Sequence, residues 1–229
     1  MGILIISLAP VFIILCYIYF RDRYEKEPVS LLVKAVVAGM LIVIPILGVE
    51  RFLIWVMPGL GDTGSAAYQA FLVAGTTEEV FKYMALFLLI WRSPEFNEQF
   101  DGIVYAVFIS LGFAAVENVI YVLEGGYRTA IIRAITAVPA HALFGVTMGY
   151  YFGIARRYQE LRRAYLAYAL LVPLVLHGLY DFILLVEVDW LLVLFLPYVI
   201  LLYVTGARKI KRLSDVSVFR PDDGGQEIN

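Results

Sequence analysis

Charged side chains are scarce in this chain, and so are the residues from which disulfide frameworks and thiolate metal centres are built. Only 17% of its 229 residues are Asp, Glu, Lys or Arg, where a soluble domain carries about a quarter. One cysteine, Cys16, excludes a disulfide framework or a cysteine metal cluster. There are two histidines, His141 and His177. The amino terminus lacks a basic stretch and a clear small-residue cleavage site, so its apolar run reads as a retained helix rather than a signal peptide. Long polar loops are missing too, which leaves no room for a separate soluble domain. His-Glu-x-x-His is absent, and no serine lies in a Gly-x-Ser-x-Gly elbow. An aspartyl protease needs two facing aspartates. Asp181 has no such partner at membrane depth, since Asp62 falls in a loop.

What the chain has instead is apolar length. It is 62% hydrophobic with a mean hydropathy of +0.82. Seven runs approach the ~20 residues that cross ~30 Å of hydrocarbon: Ile3–Phe20, Leu31–Met57, Ala67–Trp91, Gly102–Leu123, Ala130–Ala155, Leu166–Val186 and Leu191–Ala207. The pattern predicts an all-α, polytopic membrane protein of about seven transmembrane helices. Residues 1–213 read as one transmembrane domain, and 214–229 as a loosely ordered tail. Pro45, Glu50 and Arg51 interrupt the second run, predicting a kink or an early exit near Glu50. Glu50–Arg51 reads as an interfacial pair.

Basic residues alternate along the chain. Arg21, Arg23 and Lys26, then Arg92, then Arg156, Arg157, Arg162 and Arg163, then Arg208, Lys209, Lys211 and Arg212 fall in one set of connections. The other set holds Arg128, with Arg133 at a helix start. The Lys/Arg bias makes the rich set cytoplasmic, the amino terminus outside and the carboxyl terminus inside. No nucleic-acid partner is expected; the lipid bilayer is.

Against this background two adjacent glutamates, Glu78 and Glu79, are costly. A carboxylate at bilayer depth costs about 2.5–3.5 kcal/mol even on lenient scales. At 1.5 Å per residue, Glu78 lies ~15 Å from the outer end of its helix. Glu117 and Asn118 lie ~8–9 Å from the same surface, His141 ~15 Å and His177 ~13 Å, with Asp181 one turn beyond His177. Both histidines and the four acids well inside helices thus share one leaflet. Lys82 follows Glu78 in the favourable i,i+4 order and lies within reach of Glu79. It can neutralise one carboxylate, leaving the other to share a proton as a general base or acid must. Each feature also has a plainer interpretation: Glu78–Lys82 as helix glue, His141 as an interhelical hydrogen bond. The small residues of Leu111-Gly112-Phe113-Ala114-Ala115 and Gly145, Gly149 and Gly153 read as close-packing faces. Glutamate-activated water attack on a carbonyl, and a metal site, both remain open. So does a proton-coupled transporter, although no internal repeat is evident.

Gly75-Thr76-Thr77-Glu78-Glu79-Val80-Phe81-Lys82 resembles the Glu-Glu-x-x-Lys motif of the PrsW proteases. Leu111 to Asn118 (Leu-Gly-Phe-Ala-Ala-Val-Glu-Asn), Pro139-Ala140-His141-Ala142-Leu143-Phe144-Gly145 and His177-Gly178-Leu179-Tyr180-Asp181-Phe182 match further motifs in order. Asp101-Gly102-Ile103-Val104-Tyr105 and the loop through Glu27-Pro28 also look like that family, which belongs to the wider clan of CAAX-processing and Abi-like membrane proteases. The resemblance implies a multi-pass intramembrane protease of the bacterial plasma membrane. It further implies site-1 cleavage of a membrane-anchored anti-sigma factor on its extracytoplasmic side, as part of a stress response. Glu78, Glu79, His141 and His177 would then be catalytic, supported by Lys82, Glu117, Asn118 and Asp181. The cofactor is either none or zinc, the latter held among His141, His177, Glu79 and Glu117. A non-catalytic scaffold would be expected to have lost motif residues, and all are present.

Overall fold

A computed structural model describes residues 2–220, and among these every element is helical. In chain order they are α1 (Gly2–Arg21), α2 (Val29–Leu41), α3 (Val43–Trp55), the short α4 (Asp62–Ala67), a π-helical segment (Tyr68–Thr76), α5 (Thr77–Ile90), α6 (Gln99–Ile135), α7 (Ala137–Arg157), α8 (Arg162–Leu185) and α9 (Asp189–Asp215). Every apolar run identified in the sequence is helical. Five continuous helical stretches are long and apolar enough to cross a membrane: Leu4–Arg21, Val29–Trp55, Gln99–Arg157, Arg162–Leu185 and Asp189–Asp215. The run containing Glu78 falls outside that set because a change of helix type divides it and three charges lie within it.

The break in the second run sits at Ile42, three residues before Pro45. Proline cannot donate to the carbonyl four residues back, so the pairing fails one turn earlier. The helix resumes and runs to Trp55; it does not leave early at Glu50.

Helix α6 lies at the centre of the bundle. From Phe100 to Ala115 every residue is buried, as in a helix apolar on nearly every side, with Asp101 and Ser110 the polar exceptions. Close backbone contact is what the small residues provide. Gly112 meets Val36 of α2, while Gly149 and Gly153 of α7 meet Gly102 and Gln99. Large apolar side chains such as Phe12, Phe20, Leu88, Leu171 and Val193 face outward, as a hydrocarbon solvent requires.

The last ten residues of α6 run back along the first part. Gly126 has φ +70° and ψ −161°, a conformation open essentially to glycine alone. The chain folds back there, so Arg133 returns to the level of Glu117.

The connections rich in Lys and Arg gather at one end. Asn97 donates to Glu25, Arg156 to the Trp91 carbonyl and Ser217 to Glu98. Burial pushes the Asp22 carboxyl at this end up to about 7 and raises Glu27 as well. The beginning of the expected tail is packed: α9 continues to Asp215, and Ser214 is buried. The rest of that tail, 221–229, lies outside the described residues.

Candidate active site

The π-helical segment ends where the glutamates begin. Its wider turn is held by side chains as well as backbone: Thr76 Oγ1 donates to the Phe71 carbonyl at 2.7 Å and Thr77 Oγ1 to Leu72 at 3.3 Å. Both bonds span five residues, the π spacing, and such turns concentrate at functional sites. Gly75 then allows α8 to pass closely. A Cβ on it would lie 3.1 Å from the Gly178 amide nitrogen, and the neighbour of Gly178 is His177.

At this crossing four side chains converge. Glu78, Glu79, His141 and His177 each offer one ligand atom, all within 4.8 Å of one another and all buried. Lys82 lies among them. Its Nζ donates to Glu78 Oε2 at 3.0 Å and to Glu79 Oε1 at 2.9 Å, and lies 3.2 Å from His141 Nδ1. As the spacing allows, the ammonium touches both glutamates, and its single positive charge offsets one of their two negative charges. An ammonium can only donate, so His141 accepts at Nδ1 and carries its proton on Nε2. From there it donates to Glu117 Oε2 at 2.8 Å.

His177 is the second partner of the glutamates. Its Nδ1 is 2.9 Å from Glu79 Oε1 and 3.9 Å from Glu78 Oε2, while Nε2 is 3.3 Å from Asp181 Oδ2. The ring is stacked on Phe144 with centroids 4.9 Å apart. A carboxylate on each nitrogen suits a ring donating from both sides.

In the sequence Arg133 reads only as a basic residue at a helix start. Folded back at Gly126, it donates from Nη2 to Glu117 Oε2 at 2.7 Å and from Nε to Asn118 Oδ1 at 2.8 Å. Its guanidinium lies 4.1 Å over the Tyr121 ring. Asn118 is fully buried and donates to the Ser7 carbonyl. It therefore holds Arg133 and α1, and among the described residues it makes no hydrogen bond to the glutamate pair. Glu117, expected among the metal ligands, instead lies behind His141 on the opposite ring nitrogen, and Glu78 takes its place in the group of four.

A cavity of 430 Å³ opens onto the site from the end poor in Lys and Arg. Glu78, Glu117, His141, His177, Asp181 and Arg133 line it, whereas Glu79 and Lys82 do not. Glu50 lines it as well. The anticipated Glu50–Arg51 pair is not formed among the described residues, and Glu50 faces the site instead. Its position near the end of an apolar run had suggested only an interfacial role.

Two imidazole nitrogens and two carboxylate oxygens form a donor set that suits zinc. The four atoms are close enough to share an ion. Three of them now hold the Lys82 ammonium, so an ion seated here would displace it.

Comparison with known proteins gives a consistent result. The sequence model described as PrsW family intramembrane metalloprotease matches residues 27–205. A protein named Protease PrsW from Geobacillus kaustophilus is 40% identical over 206 residues, 90% of this chain and 89% of the relative. Its namesake from Bacillus subtilis is 36% identical over 215 residues, covering 93% and 96%. One from Clostridioides difficile is 34% identical over 220 residues, covering 93% and 91%. No solved structure matches the chain.

Proposed function

The chain belongs to the PrsW family of intramembrane metalloproteases, and we propose that it is an endopeptidase in which Glu78 activates the hydrolytic water. It is a multi-pass membrane protein and a peptidase, as its family and relatives are. What supports Glu78 over its neighbour is access. Glu78 lines the cavity, whereas Glu79 is fully buried with Oε1 held by Lys82 and His177.

In this mechanism the Glu78 carboxylate takes a proton from water as the water oxygen bonds to the scissile carbonyl carbon. The developing oxyanion is met by the positive charge of His177 on the cavity wall, whose two N–H groups are held by Glu79 and Asp181. Collapse breaks the C–N bond, and Glu78 returns its proton to the leaving amine. Lys82 holds the Glu78 carboxylate in place, Asp181 orients His177, and Glu117 orients His141.

The substrate we propose is a single-span membrane protein. By the role that the family resemblance implies, it is an anti-sigma factor cut at site 1 in a stress response. The Lys/Arg bias supports a cut on the extracytoplasmic side, since the cavity opens at the end opposite the basic loops. Cleavage of a reconstituted single-span substrate by the wild type but not by Glu78→Gln tests the assignment. Undiminished cleavage by Glu78→Gln would overturn it.

A second reading, zinc held by Glu78, Glu79, His141 and His177, is favoured by the convergence of those four donors. Zinc bound there would polarise the water and the carbonyl. Stoichiometric zinc in purified protein, lost together with cleavage on chelation, would select this reading. Full cleavage in chelator by metal-free protein would select the first.

A further inference from the structure

The helices that line the 430 Å³ cavity do not contribute alike. On α5 to α8 each acid of the lining already has a counterpart. Glu78 is held by Lys82, Glu117 by Arg133 and His141, and Asp181 by His177. From α3, Val43, Leu47, Glu50 and Ile54 reach the same cavity, and residues three and four apart share one face of a helix. That face is apolar except for Glu50, which is half-buried and has no hydrogen-bond or ion-pair partner among the described residues. Arg51, the next residue, is exposed and does not line the cavity. The other polar residues of the lining, Gln69, Tyr121, Thr136 and Tyr180, bring no positive charge.

A carboxylate at membrane depth is costly without a cation, and every cation on the lining is committed elsewhere. Arg133 donates to Glu117 and Asn118, His141 stands between Lys82 and Glu117, and His177 stands between Glu79 and Asp181. Glu50 lies ~7.5 Å below Trp55, where α3 ends. At such a depth the long stem of a Lys or Arg still fits apolar surroundings while its head seeks polar ones. Both parts find a match on α3. Leu47 and Ile54 flank Glu50 by one turn on either side, offering apolar surface to the methylenes, and the carboxylate receives the charge. A backbone N–H of an entering chain would satisfy an oxygen of Glu50 but would not offset its charge.

We propose that Glu50 is a specificity-determining residue: it receives a Lys or Arg side chain of the substrate, with Leu47 and Ile54 covering the stem. A cavity of this size takes about two or three residues of extended chain at ~3.3 Å each, so the basic residue lies that close to the scissile bond. The proposal deepens the peptidase reading of this cavity, on which it rests for the nature of the occupant. It is the same whether the water is activated by Glu78 alone or with zinc. A charge-assisted hydrogen bond favours the basic residue over a neutral one by about 10–100-fold, and repulsion from Glu50 disfavours an acidic one.

The test uses the full chain reconstituted in phosphatidylcholine vesicles and fluorescent single-span peptides that share one apolar segment. Lys, Gln or Glu is placed in turn at each position of the last two turns at its extracytoplasmic end. Binding is measured in the Glu78→Gln background, so that the peptides stay intact, and cleavage with Glu78 present. At the best position the Lys peptide should bind at least about tenfold more tightly than the Gln peptide. Glu50→Gln should abolish that preference, and Glu50→Lys should make the Glu peptide the preferred one. The swap is a gain of binding, which a misfolded variant cannot produce. Equal binding of the Lys and Gln peptides at every position would overturn the proposal and assign Glu50 a bound proton. A Lys preference that survives Glu50→Gln, or failure of every peptide to bind, would overturn it too. A Lys preference that depends on Glu50, with no cleavage of any peptide when Glu78 is present, would uphold the subsite and overturn the peptidase reading alone.

Discussion

The molecule buries two clusters of carboxylates, one at each end of the bundle, and it treats them differently. In the cluster around Glu78 every charged side chain meets a protein partner, although Glu79 Oε2 has none among the described residues. Lys82 bridges the glutamate pair, His177 stands between Glu79 and Asp181, and Arg133 caps Glu117. Around Glu27 the acids outnumber their partners, and several oxygens meet none among the described residues. Both clusters sit on α6 and its neighbours, so helix packing does not account for the contrast. The first cluster is preorganised, its cost already offset by fixed cations and donors, as a catalytic site requires.

The largest expected effect lies in the compensated cluster. Glu78→Gln should reduce cleavage of a reconstituted substrate by about 10²–10⁴-fold, the range for loss of a positioned general base. Its Tm should change little, because the amide can still accept from Lys82. Lys82→Met reverses that pattern by leaving two buried carboxylates without their shared cation. A loss of about 3–5 kcal/mol is expected, measured as a fall in unfolding midpoint, and combining it with Glu78→Gln should recover part of that loss. If Lys82→Met left stability unchanged, the two clusters would not differ in the way described.

Arg133→Ala tests whether the fold-back matters to the site. It removes two charge-assisted hydrogen bonds, of which each is worth about 1.5–3 kcal/mol. It should slow cleavage while Arg133→Lys, which keeps the charge but not the fork, restores only part of the rate. The smallest effect is expected at Gly126. Gly126→Ala forces an unfavourable backbone at a cost of about 1–3 kcal/mol, spread between stability and the placement of Arg133. A wild-type rate and midpoint in that variant would show that Arg133 reaches Glu117 without the glycine.

Much of the site is legible in the amino-acid order, because membrane depth and helical spacing are both linear in sequence. Glu78, Glu79, Lys82, His141, His177 and Asp181 do converge, and the close-packing glycines lie at helix crossings. Arg133 was not legible as a partner of Glu117. Gly125-Gly126 falls in the connection between two of the apolar runs, so a reversal was expected there, but depth alone did not say that Arg133 would turn its side chain toward Glu117. Asn118 was placed at the level of the site, but its partners, Arg133 and the Ser7 carbonyl, were not legible, since depth does not specify which face of a helix looks at the site. The acids of the α1–α2 loop read as ordinary polar flank, because burial of a loop depends on the helices that close over it.

The sequence by itself determined the solvent, the helical class and the layer in which the costly residues collect. Those follow from the free-energy penalty of exposing backbone or charge to hydrocarbon, which acts on each segment separately. Only the tertiary structure decided which charge faces which. It set His141 against Lys82 and His177 against Glu79, left Glu78 rather than Glu79 on the cavity wall, and turned Arg133 onto Glu117. Pairing depends on the azimuth of each helix and on where the chain reverses, and these are set by packing between segments distant in sequence.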